Sequence, residues 1–338
     1  YSRRESMMIE LRERRLGEDI ERALHSLRPL PRVARELLTI SSTCDIPLQR
    51  IVDLIEYDPV LAARIVRLAN STFFGLRRRV STIKDAVIVL GIQGVRNLAV
   101  GVALLPDPDA NEVFGLKLSA ASGLNYYAFL DHTLAVAITA RRIATILDPA
   151  NADEAFLAGL IHDLGKPFLA AIDAETYCQV LSAAAERHCD PAVLERETFG
   201  CDHGEIAGRL CELWGLPPSL TRVVRMHHEP GQNGPIDLAL AGANALAQLL
   251  EIGASGNTCL EAAALRALLR SSLTLEQLND LASNLPAEVA EACHVYGSCG
   301  SAFRPPLESD EIRSRLERLG ESDRSTPQAS ATALREEQ

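Results

Sequence analysis

The run Ala155-Phe-Leu-Ala-Gly-Leu-Ile161 passes directly into His162 and Asp163. Read at the helical repeat it is apolar nearly all round, and a helix of that kind belongs in an interior. Burial carries the Asp163 carboxylate inside with it, and an unpaired buried charge is very costly. The chain therefore has to bring a cation or several hydrogen-bond donors to Asp163.

The surrounding sequence is punctuated for helices. Val33, Leu37 and Leu38 fall at helical spacing in 32–40, and Pro47 opens a helix carrying Ile51, Leu54 and Ile55. Asp58-Pro59 reads as an N-cap followed by proline at the first helical position, with Leu61, Ile65 and Leu68 on one face behind it. Thr82 and Asp85 resemble a capping box, Gly91 fits the left-handed position after that helix, and another helix runs through Val95 to Leu105. A second set is expected over 127–147, 153–171, 174–188, 191–199, 202–214, 218–228 and 236–251, closed by 261–271 and 274–297. A short helix at 308–319 follows Arg304-Pro305-Pro306. There is no strand alternation and no repeat. Aromatic residues make up only 4% of the chain, and the abundant Ala and Leu are strong helix formers. The expectation is an all-α protein of two lobes. A Pro-, Asp-, Asn- and Gly-bearing stretch at 106–124 marks the boundary between them. The division is then a charged helical segment over 1–28, an N-terminal helical subdomain over 29–120, a helical bundle over 121–300 and a charged, largely mobile tail over 301–338.

A formal net charge of -11 repels a phosphate backbone, so no nucleic-acid partner is expected. Arg77, Arg78 and Arg79 form the one compact basic run, read as a solvated loop. The cysteines at 44, 178, 189, 201, 211, 259, 293 and 299 include no CxxC pair, which disfavours a thiolate zinc site. The charged segment Tyr1 to Arg15 lacks the apolar core of a secretory signal, and no run reads as a membrane span. A reduced, cytoplasmic protein without membrane insertion is expected.

The chemistry concentrates in the second lobe. His132 precedes the apolar stretch Leu134-Ala-Val-Ala-Ile138, His162 and Asp163 follow the buried run, His203 opens a capped helix, and His227-His228 end another. Imidazoles and one carboxylate from separate helices suit a divalent transition metal such as iron, manganese or zinc. Lys166 lies one turn beyond His162, where it can meet a phosphate or neutralise Asp163. Each residue also has a plainer reading. His132 can be a hydrogen-bonded core histidine, His227 and His228 can favour a helix dipole, Asp163 can pair with Lys166 or an arginine, and His203 can be an exposed first-turn residue. His25, His188 and His294 read as surface residues.

Two ordered sets of motifs carry a family resemblance. The first is Leu30-Pro31, Asp58-Pro-Val-Leu-Ala-Ala-Arg-Ile-Val-Arg-Leu-Ala-Asn-Ser71, Phe74-Gly75, Ile83-Lys-Asp-Ala86 and Leu90-Gly91. The second is Asp131-His-Thr-Leu-Ala-Val136, Ala158-Gly-Leu-Ile-His-Asp-Leu-Gly-Lys166, Glu197-Thr-Phe-Gly-Cys-Asp-His203, Trp214-Gly-Leu-Pro217 and His227-His-Glu-Pro230. Over about residues 20 to 290 the chain resembles the HDOD family, the HD-related output domain of bacterial signalling proteins. The resemblance implies an N-terminal helical subdomain packed on an HD-like bundle, related to HD and HD-GYP phosphohydrolases. It matches His132, His162 and Asp163 to one metal, and His203, His227 and His228, with Asp163 shared, to a second. It matches Lys166 to a phosphate-binding lysine. Asn244 stands where the HD pattern expects a late Asp, and the GYP motif is absent after His228.

Two functions follow from the resemblance. One is a non-enzymatic signal-transduction module acting through protein–protein contact with a partner in trans, its metal pocket degenerate. No receiver, GGDEF or DNA-binding pattern accompanies it. The alternative is a metal-dependent phosphohydrolase acting on a nucleotide or cyclic dinucleotide, for which the retained histidines, Asp163 and Lys166 speak.

Overall fold

The structure, a computed structural model, describes residues 3–40, 47–105, 112–229, 234–253, 260–294 and 309–321. The expected hinge residues 106–111, the 230–233 segment after the double histidine, Cys44, Cys259, Cys299, Arg304-Pro305-Pro306 and the tail residues 322–338 lie outside these.

The chain is helical in the order α1 (Arg3–His25), α2 (Arg32–Thr39), α3 (Leu48–Glu56), α4 (Pro59–Ala69) and α5 (Ile83–Leu104), then a two-residue-per-strand hairpin of β1 (Glu112–Val113) and β2 (Leu116–Lys117). The bundle follows: α6 (Tyr126–Leu147), α7 (Ala152–Ile161), α8 (Gly165–Ile172), α9 (Ala174–Arg187), α10 (Pro191–Phe199), α11 (His203–Leu213), α12 (Pro218–Arg225) and α13 (Pro235–Leu249). It closes with α14 (Ala262–Arg270), α15 (Leu275–Cys293) and α16 (Ser309–Glu321). Local chemistry sets many of these starts. The Asp58 carboxylate accepts from Val60 N and Leu61 N, and Thr82 Oγ1 accepts from Asp85 N while the Asp85 carboxylate reaches back to Ser81 N. Asp202 caps α11 by accepting from Glu205 N.

Helices α2–α5 form the first lobe, and α5 lays its second half against α7. In the second lobe α6, α7 and α13 pack on one another at the centre, and every residue from Ala155 to Ile161 is buried. The apolar run is thus covered on all sides, and one continuous core joins the two lobes. Across the lobe boundary Phe73 stacks on Phe156 at 5.7 Å, and Arg141 lies over Phe73 and Phe74 while pairing with Asp153 at 2.8 Å.

Five sequence expectations need correction. The helix expected over 153–171 is two helices, broken by a turn at residues 162–164 where i→i+3 bonds replace the α pattern. Gly91 is no simple left-handed cap: at φ 77 and ψ 166 it takes a glycine-only conformation that kinks α5. The stretch at 106–124 holds the small hairpin, with Phe114 and Gly115 at its turn. The helix expected within 1–28 is present and docked, and the charged tail is docked in part where a largely mobile one was expected. Helix α1 buries Leu16, Ile20, Ala23 and Leu24 and packs on α8 and α10, and Glu21 pairs with Arg209. Helix α16 packs on α14 and α15 through Ile312 and Leu316, so this part of the 301–338 segment is docked. Finally, two stretches do reach membrane-span length and apolarity, Ile83–Leu104 and Pro149–Ile172, with 56% and 89% of their most apolar windows buried inside the protein. The described cysteines, at 178, 189, 201, 211 and 293, are free thiols. His25, His188 and His294 are exposed.

Candidate metal centre

Each histidine of interest sits at an interior-facing position that its element dictates. His132 projects from the middle of α6, which is buried along most of its length. His162 and Asp163 occupy the turn between α7 and α8, and that turn points the two adjacent side chains into one space. His203 is the first residue of α11, just after its Asp202 cap. His227 and His228 lie in the turn after α12 ends at Arg225, three residues short of the expected helix end. Asn244 is on α13, which packs against α6. Among these, only His228 is part-exposed; the others and Lys166 have relative exposures of 4% or less.

The Asp163 carboxylate is the point of convergence. Its Oδ1 lies 3.2 Å from His203 Nε2, 3.4 Å from His162 Nε2 and 3.6 Å from His227 Nε2. Its Oδ2 accepts from Lys166 Nζ at 2.7 Å and lies 3.8 Å from His132 Nε2. The three imidazoles facing Oδ1 are each oriented by their far nitrogen. His162 Nδ1 bonds Gly159 O at 2.8 Å, His227 Nδ1 bonds Val224 O at 2.7 Å, and His203 Nδ1 bonds Glu195 Oε2 at 2.6 Å. With its one proton spent on that acceptor, a neutral imidazole turns the Nε2 lone pair inward. His162 Nε2, His227 Nε2 and Asp163 Oδ1 are buried without a hydrogen-bond partner. Orphaned buried acceptors facing one another are unfavourable as they stand, and a cation between them, a proton or a metal ion, relieves this. Ligand atoms held about 2.1 Å from a common ion stand about 3–3.4 Å apart, close to the separations here. The residues present therefore fit a divalent metal. Two donor groups share Asp163: one with His203, His227 and His228, the other with His132 and His162.

Charge follows geometry. Burial opposes the Asp163 charge, but His162 and Lys166 beside it hold the carboxyl well below the usual carboxylate range. Burial pushes His162 well down, lowers His132 to about 4 and lowers His227, so these rings are neutral donors at neutral pH.

His228 and Asn244 are placed differently from a simple ligand. His228 Nδ1 lies 2.9 Å from Asp190 Oδ2 and 3.2 Å from Glu261 Oε1, and its Nε2 is 2.6 Å from His203 Nε2. Burial works against its charge, but the two carboxylates raise the ring to about 10, and Glu195 likewise raises His203 against burial, so the proton between the two Nε2 atoms belongs to the pair. Asn244 Oδ1 lies 3.0 Å from His132 Nε2, and its Nδ2 donates to Glu261 Oε1 at 3.3 Å. His132 Nδ1 is 3.4 Å from Ile252 O, so a neutral His132 has one proton for two acceptors.

Three carboxylates at this site escape a motif reading. Glu195 is fully buried and accepts from His203 N, His203 Nδ1 and Tyr177 OH. Asp190 caps α10 and Glu261 precedes α14, and both face His228.

A family model described as HDOD domain matches residues 27–230. An uncharacterized protein of Treponema pallidum (strain Nichols) is 27% identical over 247 residues, covering 72% of this chain and 46% of that protein, so the chain spans under half the length of this curated relative. A candidate phosphohydrolase of Shewanella amazonensis SB2B superposes with a TM-score of 0.61 at 25% identity, over 84% of this chain and 98% of the other. An HDOD domain protein of Geobacter sulfurreducens, of unknown function, gives 0.60 at 22% identity over 92% and 99% of the two chains.

Proposed function

The chain belongs to the HDOD family, and from that premise we propose that it is a signal-transduction module whose bundle holds a divalent transition metal and which acts by binding a protein partner in trans. The observation that carries the metal is the set of buried, partnerless donors around Asp163. His203, His227 and Asp163 form the stronger half of the centre, and His132 and His162 complete it on the other side, with iron, manganese or zinc as the fitting ions. His228 joins only once the proton it shares with His203 is gone. A cation held there supplies a Lewis acid and an acidified water.

The chain's own residues favour a structural or sensing role over turnover of a phosphodiester. Lys166 is spent on Asp163, at 2.7 Å. Asn244 presents a neutral amide to His132, so the His132 side of the centre carries one negative charge fewer than an aspartate there would give it. The opposite reading, a metal-dependent phosphohydrolase, draws on the complete imidazole set and on the name carried by the Shewanella relative.

Metal content is the test of the centre. Freshly purified protein should carry a transition metal, or take it up on titration with manganese, iron or zinc, and His227→Ala should lose at least tenfold in affinity. A folded wild type that binds none of the three metals would remove the centre.

A further inference from the structure

We propose that a second, separate site binds a small phosphorylated ligand in the cleft between the 71–80 loop and the end of α15. This proposal does not rest on the metal-centre reading. The cleft has a volume of about 430 Å³ and is lined by Arg67, Leu76, Arg78, Arg79, Glu291 and His294, with Asn70 at its base. That volume falls in the range of small-molecule pockets, roughly 300–1,000 Å³.

The charge of the cleft is unlike that of the chain. Three exposed arginines line it in a protein of net charge -11. Like charges gather at one cavity at an electrostatic cost, and an anion between them relieves it. Among the described residues none of the three has a close ion pair, although the Arg78 charge acts on Asp85 from a distance. Arginine presents a planar fork of donors that matches phosphate oxygens two at a time.

Both walls are fixed. The Asn70 side chain donates to Val66 O and Val80 O and accepts from Val80 N, each at 2.8 Å, which closes the loop that carries Arg78 and Arg79. Across the cleft, Glu291 Oε2 accepts from Thr72 N at 2.7 Å and Thr72 Oγ1 at 2.6 Å, tying α15 to the same loop. The cleft therefore spans the two lobes, and a ligand in it touches both.

Glu291 and Leu76 restrict the ligand further. A carboxylate repels a long polyphosphate and favours hydrogen-bond donors away from the phosphate. Leu76 offers an apolar wall for a flat ring. A nucleoside monophosphate combines these properties.

Isothermal titration of chelator-treated full-length protein at low salt tests this, with GMP, AMP, inorganic phosphate and the free nucleosides as probes. A monophosphate should bind, the nucleosides should not, and Arg78→Ala with Arg79→Ala should weaken binding at least tenfold. Arg77→Ala, outside the cleft lining, should leave binding unchanged. Equal binding of inorganic phosphate and nucleotide keeps the anion site and identifies free phosphate as its ligand. No binding of phosphate or nucleotide at millimolar concentration, or binding that survives the double arginine substitution, overturns the proposal. Binding seen only before chelation, and insensitive to those arginines, assigns the phosphate to the Asp163 centre instead.

Discussion

Asp163 meets Lys166 through one oxygen and three imidazole nitrogens through the other. Breaking a buried ion pair by removing one partner costs about 3–5 kcal/mol. Lys166→Met should therefore destabilise the metal-free protein by about that amount, and added metal should restore much of it, because the cation then compensates Asp163. Asp163→Ala should be destabilised in both conditions, with a melting temperature that chelator no longer moves; equal melts for wild type, chelated wild type and Asp163→Ala would show the centre to be dispensable. Glu195 offers a finer test. It orients His203 by accepting from Nδ1, and loss of such a partner lowers metal affinity by about 10–100-fold. Glu195→Gln should show that loss in a competitive metal titration while folding normally. Acid titration follows from the buried rings. His132, lowered to about 4 by burial, takes its proton more readily when unfolded, so stability falls as pH drops from about 6.5 towards 4. The loss from this ring is on the order of 3 kcal/mol, and the lowered His162 and His227 act in the same direction. His228, raised to about 10, works oppositely: its contribution is complete below about 6.5 and is lost as pH rises towards 10. Denaturant midpoints of chelated protein measured from pH 4.5 to 9 should peak near pH 6.5, and a midpoint that rises steadily towards acid would contradict this charge assignment. At this scale the sequence displayed the histidines and Asp163, because a charged pair after an apolar run stands out. It hid Glu195, Asp190 and Glu261, whose partners lie on other helices and whose own neighbours are ordinary helix residues.

Helix boundaries decide where these side chains point. Lys166 follows Asp163 by three residues and so lies beside it whether or not the helix is continuous; what the break after Ile161 changes is the direction in which α8 leaves. Caps, prolines and apolar spacing made most helices legible. The break carried a signal that went unread, since Pro167 near the start of α8 has no N–H for Asp163 O and disfavours a continuous helix there; tertiary contacts fix it further. Gly165 shows what those contacts require: a Cβ there would stand 2.0 Å from His203 O and 2.6 Å from His203 Cα. Both are backbone atoms and neither can swing aside. Gly165→Ala should push α8 and α11 apart, destabilise the fold by about 1–3 kcal/mol or more, and weaken metal binding through His203. Thermal melts and metal titration of this variant check both effects, and an unchanged affinity would mean that His203 does not need its present position.

The two lobes share one core through α5 and α7, with Phe73, Phe74 and Arg141 locking the boundary. The sequence anticipated two helical lobes, but not the docking of α1 and α16, since charged amphipathic ends look alike whether docked or free. At the scale of the whole molecule the proposal is of a body that is stabilised by metal and read by a partner. The rival is a hydrolase built on the same bundle. Asn244→Asp separates metal retention from catalysis, since it restores a charge beside His132 without changing the loop after His228. The decisive measurement is hydrolysis of cyclic di-GMP and a panel of phosphodiesters by protein loaded with manganese or iron, its metal content verified on the same sample. The account predicts retained metal and no turnover, for wild type and for Asn244→Asp. Turnover by the metal-loaded wild type that His162→Ala abolishes would contradict it and make the centre an active site.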